Sequence, residues 1–474
     1  MLVYLLLAAI VALASALQCL PPESSTALIN REGYSMSGQT VVMTGVSLGT
    51  LGHGGAVAMA NAGAGLILLG RKQEDLDSVT SAITAATGSR DIHTAPCDLA
   101  SFASIQEAAR AIKKLAPRGG INVLAHLAGL TYAAPEVTDW DIAAETGFEM
   151  QMQVNLIGPA LLTELLLPFL RAATPSPGRV ISIGSASIQA LDMGGGSFWE
   201  PPIMDDWCLG QSPGCFCIEE LDRMARRPSL PMLGSSLRSN VMFAMTLKTF
   251  WTYHLAQRER AHGVSVHIFH PGFVHTRGTG AMARDTGFSS IKEMTQAQCP
   301  SVPFFYCDCT DDPAAQAYLD ANCPLTTDEG SVSFTYLAAA PASEVVPQSG
   351  LLTNACEAGD AMLGYAKVFD QRLNMAARRG SDATEQWGLA VFDLITMWAT
   401  GREPSHRENY AAVRADCRIR GPLGGYVNQL WAMLLALCVL VGACTMLGWC
   451  RRRCCCCAGG GKDKQPPESG ASLH

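Results

Sequence analysis

A glycine-rich stretch, Thr44-Gly45-Val46-Ser47-Leu48-Gly49-Thr50-Leu51-Gly52, stands between a short β-branched run, Thr40-Val41-Val42-Met43, and an alanine-rich stretch over 55–64. Strand, tight turn and helix in that order aim unpaired backbone N–H groups and the positive end of a helix dipole at one point, which suits a pyrophosphate. Alone the turn is a weak sign. Its company makes it specific: Arg71 follows the second apolar run, Asp98 and Leu99 the third, and Ala128 and Gly129 the fourth. Asn155 lies in the next helical stretch, Ser185 closes the fifth run, and Pro271, Gly272 and Thr276 follow the sixth.

The elements that must position these residues alternate. Apolar runs at 66–69, 122–126, 180–183 and 264–269, with another leading into Pro96, read as buried strands; stretches at 74–86, 102–115, 146–170 and 236–259 read as helices. The pattern predicts an α/β fold, a doubly wound parallel sheet of the Rossmann type, with any ligand at the carboxyl ends of its strands. Residues 21–37 read as a polar linker. Two long Gly/Pro/Cys-rich insertions, 188–232 and 281–325, fall on the ligand side, and no internal repeat is visible.

Taken in order, these motifs resemble the short-chain dehydrogenase/reductase family, in its retinol-dehydrogenase and protochlorophyllide-reductase-like branch, over about residues 38–400. "GRVISIGSAS", "SNVMFAM" and "GVSVHIFHPGFVHT" look like that branch's Ser strand, long helix and sixth strand with its loop, and "TDEGSVSFTYLAAAP" with "SGLL" looks like its closing helix and last strand. The resemblance implies a nicotinamide cofactor, bound by Thr44, Gly45, Gly49, Gly52, Arg71, Asp98, Leu99, Ala128, Gly129, Pro271, Gly272 and Thr276. Asp98 and Leu99 would flank the adenine, and Pro271, Gly272 and Thr276 would line the nicotinamide end. Arg71 and Lys72 stand where an NAD-preferring protein carries an acid, so the expected cofactor is NADP(H), with a solvated basic pair as the alternative.

The chain departs from the family in three places. The last glycine of the turn comes one residue late, at Gly52, with Leu51 before it, so the turn is expected to bulge. His126-Leu127-Ala128-Gly129 replaces Asn-Asn-Ala-Gly, which makes His126 either a structural hydrogen-bonding substitute or a base. The third departure bears on chemistry directly. Aligning "SNVMF" places Leu233 at the catalytic Tyr position and Leu237 at the Lys position, and no Tyr lies between Tyr132 and Tyr253 and no Lys between Lys114 and Lys248. Tyr253 and Lys248 follow in reverse order and deeper in the helix, too far to be expected in the missing roles. Ser185 and Asn155 remain of the implied catalytic tetrad. Leu transfers no proton, and losing a general acid or base costs roughly 10²–10⁴ in rate.

The net charge of -8 and the absence of a basic run outside the C-terminus exclude a polyanion-binding surface, so no nucleic-acid partner is expected. Residues 1–20 carry no charge and include Ala14-Ser15-Ala16, which reads as a signal peptide or an uncleaved anchor. Residues 430–450 carry none either; as a helix they span roughly 30 Å, with Trp431 and Trp449 near the edges and Arg451, Arg452 and Arg453 after them. This predicts a single-pass type I protein of the endoplasmic reticulum, endomembranes or cell surface, with a cytosolic tail over 451–474. The four cysteines at 454–457 are acylation sites or plain thiols. Ten of the 18 cysteines fall between the hydrophobic segments, most of them in the insertions, where disulfides are expected and the Cys-x-Cys pairs lack common zinc-finger spacing; no metal site is expected.

Three functions follow: a membrane-anchored, NADP(H)-binding protein with impaired catalysis, an active oxidoreductase on a hydrophobic carbonyl or alcohol using a non-standard proton donor, or a structural receptor without cofactor. The resemblance also implies a small hydrophobic ligand and a homodimer.

Overall fold

The computed structural model describes residues 24–116, 119–130, 142–184, 221–222, 225–226, 238–272, 274–276, 279, 289, 293, 325–350, 352–354, 367–369 and 381–420. Segment 1–20, nearly all of both insertions, Ser185, Leu233, Leu237, the span 430–450 and the tail 451–474 lie outside the described residues. The chain divides into Met1–Arg418 and Ile419–His474; the described elements belong to the first, save the last two residues of the final helix.

Short apolar runs bounded by glycine and polar residues form the strands β1 Thr40–Thr44, β2 Gly65–Gly70, β3 Ile92–Pro96, β4 Val123–His126, β5 Arg179–Ile183, β6 Ser265–His270, β7 Leu352–Asn354 and β8 Lys367–Phe369. Their order is β3-β2-β1-β4-β5-β6-β7-β8. Pairing is parallel from β3 to β7, and β8 runs antiparallel to β7, an edge the sequence reading did not include. The order reverses between β1 and β4, so a crevice opens at their carboxyl ends.

The helices are α1 Ser25–Glu32, α2 Leu51–Asn61, α3 Gln73–Thr87, α4 Phe102–Leu115, α5 Met150–Arg171, α6 Arg238–Glu259, α7 Val332–Ala339, α8 Ser381–Thr400 and α9 Arg407–Arg420. One core lies on the α4, α5, α6 and α8 side of the sheet, around Leu124, Val180, Leu156, Trp251 and Phe392. The other lies on the α2 and α7 side, around Met43, Ile181, Phe269 and Phe334. Among the described residues α5 alone is long and apolar enough to cross a membrane, and with 72% of its apolar window buried it is a core helix.

Three boundaries differ from the sequence reading. The expected linker contains α1, because Ser24 caps it by accepting from Ala27 N and Gly33 closes it at φ 65. Its Ser25 Oγ donates to Asp328 O at 2.7 Å across 303 residues, which ties the helix to the turn before α7. Helix α5 starts at Met150 instead of near 146, since Gly147 at φ 71 interrupts the backbone and the Glu149 carboxylate caps Met152 N at 3.0 Å. Order continues past residue 400 into α9, whose entry is held by the Asp393 carboxylate accepting from Ser405 N at 3.2 Å and His406 N at 2.9 Å.

Candidate functional site

The glycine turn is built on Thr44. Its buried hydroxyl donates to Ala125 O at 3.3 Å and accepts from Leu127 N and Ala128 N at 3.2 Å each, joining the ends of β1 and β4. Gly45 follows at φ 73, and a Cβ there would overlap the Ala128 nitrogen, so the two loops touch only because residue 45 has no side chain. Gly49 repeats the left-handed conformation at φ 73 and faces open space. Between them the N–H groups of Val46, Ser47, Leu48 and Gly49 meet no acceptor among the described residues. Consecutive free N–H groups beside a helix N-terminus form an anion-binding concavity.

Thr50 starts α2: its hydroxyl lies 2.7 Å from Gly45 O and 2.6 Å from Ser47 O and accepts from His53 N at 3.3 Å. The late glycine is absorbed in the first turn of α2. Gly52 is buried beneath the loop, and a Cβ there would overlap the Gly45 carbonyl oxygen, so it serves close helix-to-loop packing. Leu51 is buried in the apolar cluster that also holds Val274 and Leu325.

Around this turn, Arg71 and Lys72 are exposed at the end of β2, and no carboxylate pairs with Arg71 among the described residues. Asp98 is held by accepting from Ala100 N at 3.0 Å, while its own N–H donates to Ser104 Oγ at 2.9 Å. Leu99 points into the core, and its carbonyl accepts from Gln153 Nε2 at 3.0 Å. Ala128 and Gly129 lead to Leu130, whose backbone is gripped at both atoms by Asn155: Oδ1 accepts from Leu130 N at 2.7 Å and Nδ2 donates to Leu130 O at 2.8 Å. Asn155 sits in a π-helical turn, Gln153–Ile157, within α5. Such a turn re-aims a side chain inside a helix and recurs at functional sites. After β6, Pro271 is half-buried and Gly272 takes φ 76. The loop is pinned by His275 N donating to Leu325 O at 2.7 Å and Thr276 N donating to Thr279 Oγ1 at 2.8 Å.

His126 is fully buried at the end of β4. The Thr163 hydroxyl donates to Pro159 O at 2.9 Å, so it accepts from His126 Nε2 at 2.8 Å, which assigns the ring's proton to Nε2. Burial, helped by the Lys248 charge, pushes the imidazole down to about 3. Through Nε2 it is a structural donor, and its Nδ1 has no partner among the described residues.

The site also holds a residue the sequence reading set aside. Lys248 of α6 is fully buried, donates from Nζ to Ile183 O at 3.0 Å, and pairs with no carboxylate among the described residues. Burial pushes its amine down to about 7. The available signal was its isolation as the one Lys, Arg, Asp or Glu between Arg238 and Arg258. The loops after β1, β4 and β6 and the π turn are thus brought together, whereas Ser185, Leu233 and Leu237 lie outside the described residues.

Residues 39–193 match the family model of the short chain dehydrogenases. Human dehydrogenase/reductase SDR family member 13 is 29% identical over 244 residues, 51% of this chain and 53% of that protein. Mouse retinol dehydrogenase 13 is 29% identical over 254 residues, 53% of this chain and 62% of the relative. Mouse polyprenol dehydrogenase is 34% identical over 160 residues, 33% of this chain and 45% of the relative. The chain therefore spans between 45% and 62% of the length of these relatives. Among solved structures, L-sorbose reductase from Gluconobacter frateurii, complexed with NADPH and L-sorbose, aligns with a TM-score of 0.45 at 16% identity, covering 70% of this chain and 98% of that one.

Proposed function

The chain belongs to the short-chain dehydrogenase/reductase family, in its retinol-dehydrogenase-like branch, and from that premise we propose that it is a membrane-anchored NADP(H)-binding member whose usual Tyr and Lys are replaced by Leu233 and Leu237. The observation that carries the cofactor reading is the run of four free N–H groups from Val46 to Gly49 at the head of α2, with the unpaired Arg71 one strand away. A pyrophosphate suits the first and a 2′-phosphate the second. Ala128, Gly129 and the loop after β6 would border the rest of the cofactor. When bound, such a cofactor gives or takes a hydride at a carbonyl or alcohol carbon. The chain's own contributions are to orient it by the β1 and β4 loops, fixed on each other through Thr44, and to supply or remove a proton.

Proton exchange is where the proposal predicts impairment. Leu233 and Leu237 have no exchangeable proton, and the loss of that group alone accounts for roughly 10²–10⁴ in rate. A second reading, turnover through a non-standard donor, is supported by the buried amine of Lys248 at the end of β5. For the substrate, the names of the relatives point to long apolar alcohols or their aldehydes. An anchor at 430–450 would place the site where such molecules are stored, with residues 451–474 cytosolic and the dehydrogenase-like region lumenal if 1–20 is a signal. A homodimer belongs to the same proposal.

The test uses full-length protein in detergent. NADPH titration followed by nicotinamide fluorescence is expected to show saturable binding, and turnover is then sought over a panel of apolar aldehydes and ketones. Binding with little turnover supports the first reading, and absence of binding overturns both. Turnover unchanged by Ser185→Ala would remove Ser185 from the chemistry. Protease protection of a C-terminal tag in microsomes checks the topology.

A further inference from the structure

The carboxyl ends of β4, β5 and β6 carry, on the side covered by α5 and α6, a group of buried polar side chains with too few partners. His126 and Ser182 are register partners on β4 and β5, so their side chains stand next to each other on one face. Val180 and Leu124, two residues earlier on the same face, belong to the core that α6 covers. Lys248 descends from α6 onto this face with its Nζ on Ile183 O, and its charge is felt at His126. Among the described residues, Ser182 Oγ and His126 Nδ1 have no hydrogen-bond partner, nor does Thr252 Oγ1, one turn beyond Lys248 on α6. Buried polar atoms in native proteins are satisfied by protein or by ordered water, and a water needs two to four such partners to stay. Lys248 has donors to spare, Ser182 can donate and accept, and His126 Nδ1 is an acceptor.

We propose that Lys248, Ser182 and His126 enclose a hydrated proton-relay pocket beneath the end of β5, and that this pocket delivers the proton which Leu233 and Leu237 cannot. The proposal rests on the second functional reading above. Ile183, whose carbonyl holds the amine, turns its own side chain to the opposite face; the pocket stands at the carboxyl end of β5, two residues short of Ser185 in the chain, on the side of the sheet where the crevice opens. In the reductive direction a bound reduced nicotinamide would supply the carbonyl carbon with a hydride and its two electrons. The oxygen takes a proton from water at the end of β5, the Lys248 ammonium returns a proton to that water, and the amine is reprotonated from solvent. The sum is carbonyl, reduced cofactor and one proton going to alcohol and oxidised cofactor.

The groups facing Lys248 are consistent with this traffic. β4 presents His126, and β5 presents Ser182 and the Ile183 carbonyl; separately, His270 is buried at the end of β6, with neither nitrogen partnered among the described residues. Thr163 of α5 is taken by His126 and Pro159. The acids of the neighbouring helices are engaged elsewhere, Asp393 with the backbone before α9 and Glu259 with Arg171 and Arg258. Among the described residues no carboxylate locks the amine in its charged form, and burial moves it to about 7, where it can both give and take a proton.

Two measurements on the full-length protein test the pocket. Competitive acetylation of the cofactor-free protein across neutral to alkaline pH, read lysine by lysine by peptide mass spectrometry, is expected to give Lys248 a midpoint about two units or more below the ordinary lysine value, moved by Ser182→Ala. A Lys248 midpoint at the ordinary lysine value overturns the relay. In the second, NADPH-dependent turnover is followed against pH for the wild type, Lys248→Met and Lys248→Arg. Both variants are expected to lose about tenfold or more in kcat with KM little changed and to lose the neutral inflection, since Arg keeps its proton throughout. Lys248→Met removes an amine without an acid partner and is expected to fold. A variant with the wild-type pH profile overturns the proposal. Failure of the wild type to bind NADPH strikes the cofactor reading instead and leaves the labelling result to decide the pocket.

Discussion

Asn155 holds the backbone of Leu130 by both atoms of its amide, accepting from Leu130 N at 2.7 Å and donating to Leu130 O at 2.8 Å. The π turn of α5 aims the amide at this loop, and the loop begins at Ala128 and Gly129, on the border of the crevice. Asn155→Ala removes both bonds and is expected to cost about 2 kcal/mol, at about 1 kcal/mol for each bond. Urea unfolding measures that loss. NADPH titration of the same variant is expected to show several-fold weaker binding, because the floor of the cofactor site loosens with Leu130. An unchanged affinity would detach Asn155 from the site.

Arg71 is exposed and pairs with no carboxylate among the described residues. A charge-assisted contact to a 2′-phosphate is worth about 1.5–3 kcal/mol, so Arg71→Glu is expected to weaken NADPH roughly ten- to a hundredfold while leaving NADH nearly unaffected. The wild-type preference for NADPH is also expected to shrink as salt is added. Parallel titrations with the two dinucleotides at low and high salt check both statements.

Gly45→Ala tests the contact between the β1 and β4 loops. Alanine at φ 73 costs about 1–2 kcal/mol from backbone strain, and its Cβ would meet the Ala128 nitrogen and the Leu127 carbonyl carbon. Thermal unfolding is expected several degrees lower, with cofactor binding lost. Gly49→Ala carries the same backbone strain but meets open space, so it is expected to be the milder of the two.

The buried bases set a pH dependence of stability. Burial lowers His126 to about 3, His267 to about 3 and His270 to about 4, against an ordinary 6.5. Between those values the unfolded chain binds protons that the folded chain refuses, so stability is full above about pH 6.5 and falls as pH drops toward 4. At pH 5 each such histidine costs about 2 kcal/mol. Lys248, lowered to about 7 from 10.5, adds a second rise in stability from neutral to alkaline pH. Unfolding midpoints from pH 5 to 8 are expected to climb, with a shallower slope in His267→Gln.

Much of the scaffold was legible from local pattern. The runs at 40–43 and 66–69 are strands because they are buried on both faces and end in glycine or a polar turn. The turn from Gly45 to Gly49 could be placed because only glycine takes its left-handed backbone freely. The linker read at 21–37 failed because α1 is short and weakly patterned, and its reason for folding, Ser25 on Asp328, lies 303 residues away. The expected helix start near 146 failed because Gly147 broke a stretch whose composition is otherwise helical.

By itself, then, the sequence determined the resemblance to the family, the alternation of strand and helix, the order of the site motifs and the absence of Tyr and Lys from the positions that resemblance implies. Those are properties of residue type and spacing. The tertiary structure decided what each motif residue touches: Thr44 ties β1 to β4, Gly52 packs beneath the loop, Leu99 turns into the core, and Lys248 reaches the end of β5. Each of these depends on atoms from segments far apart in the chain meeting at one edge of the sheet. Burial there sets the hydrogen bonds and the proton affinities, which no local pattern encodes.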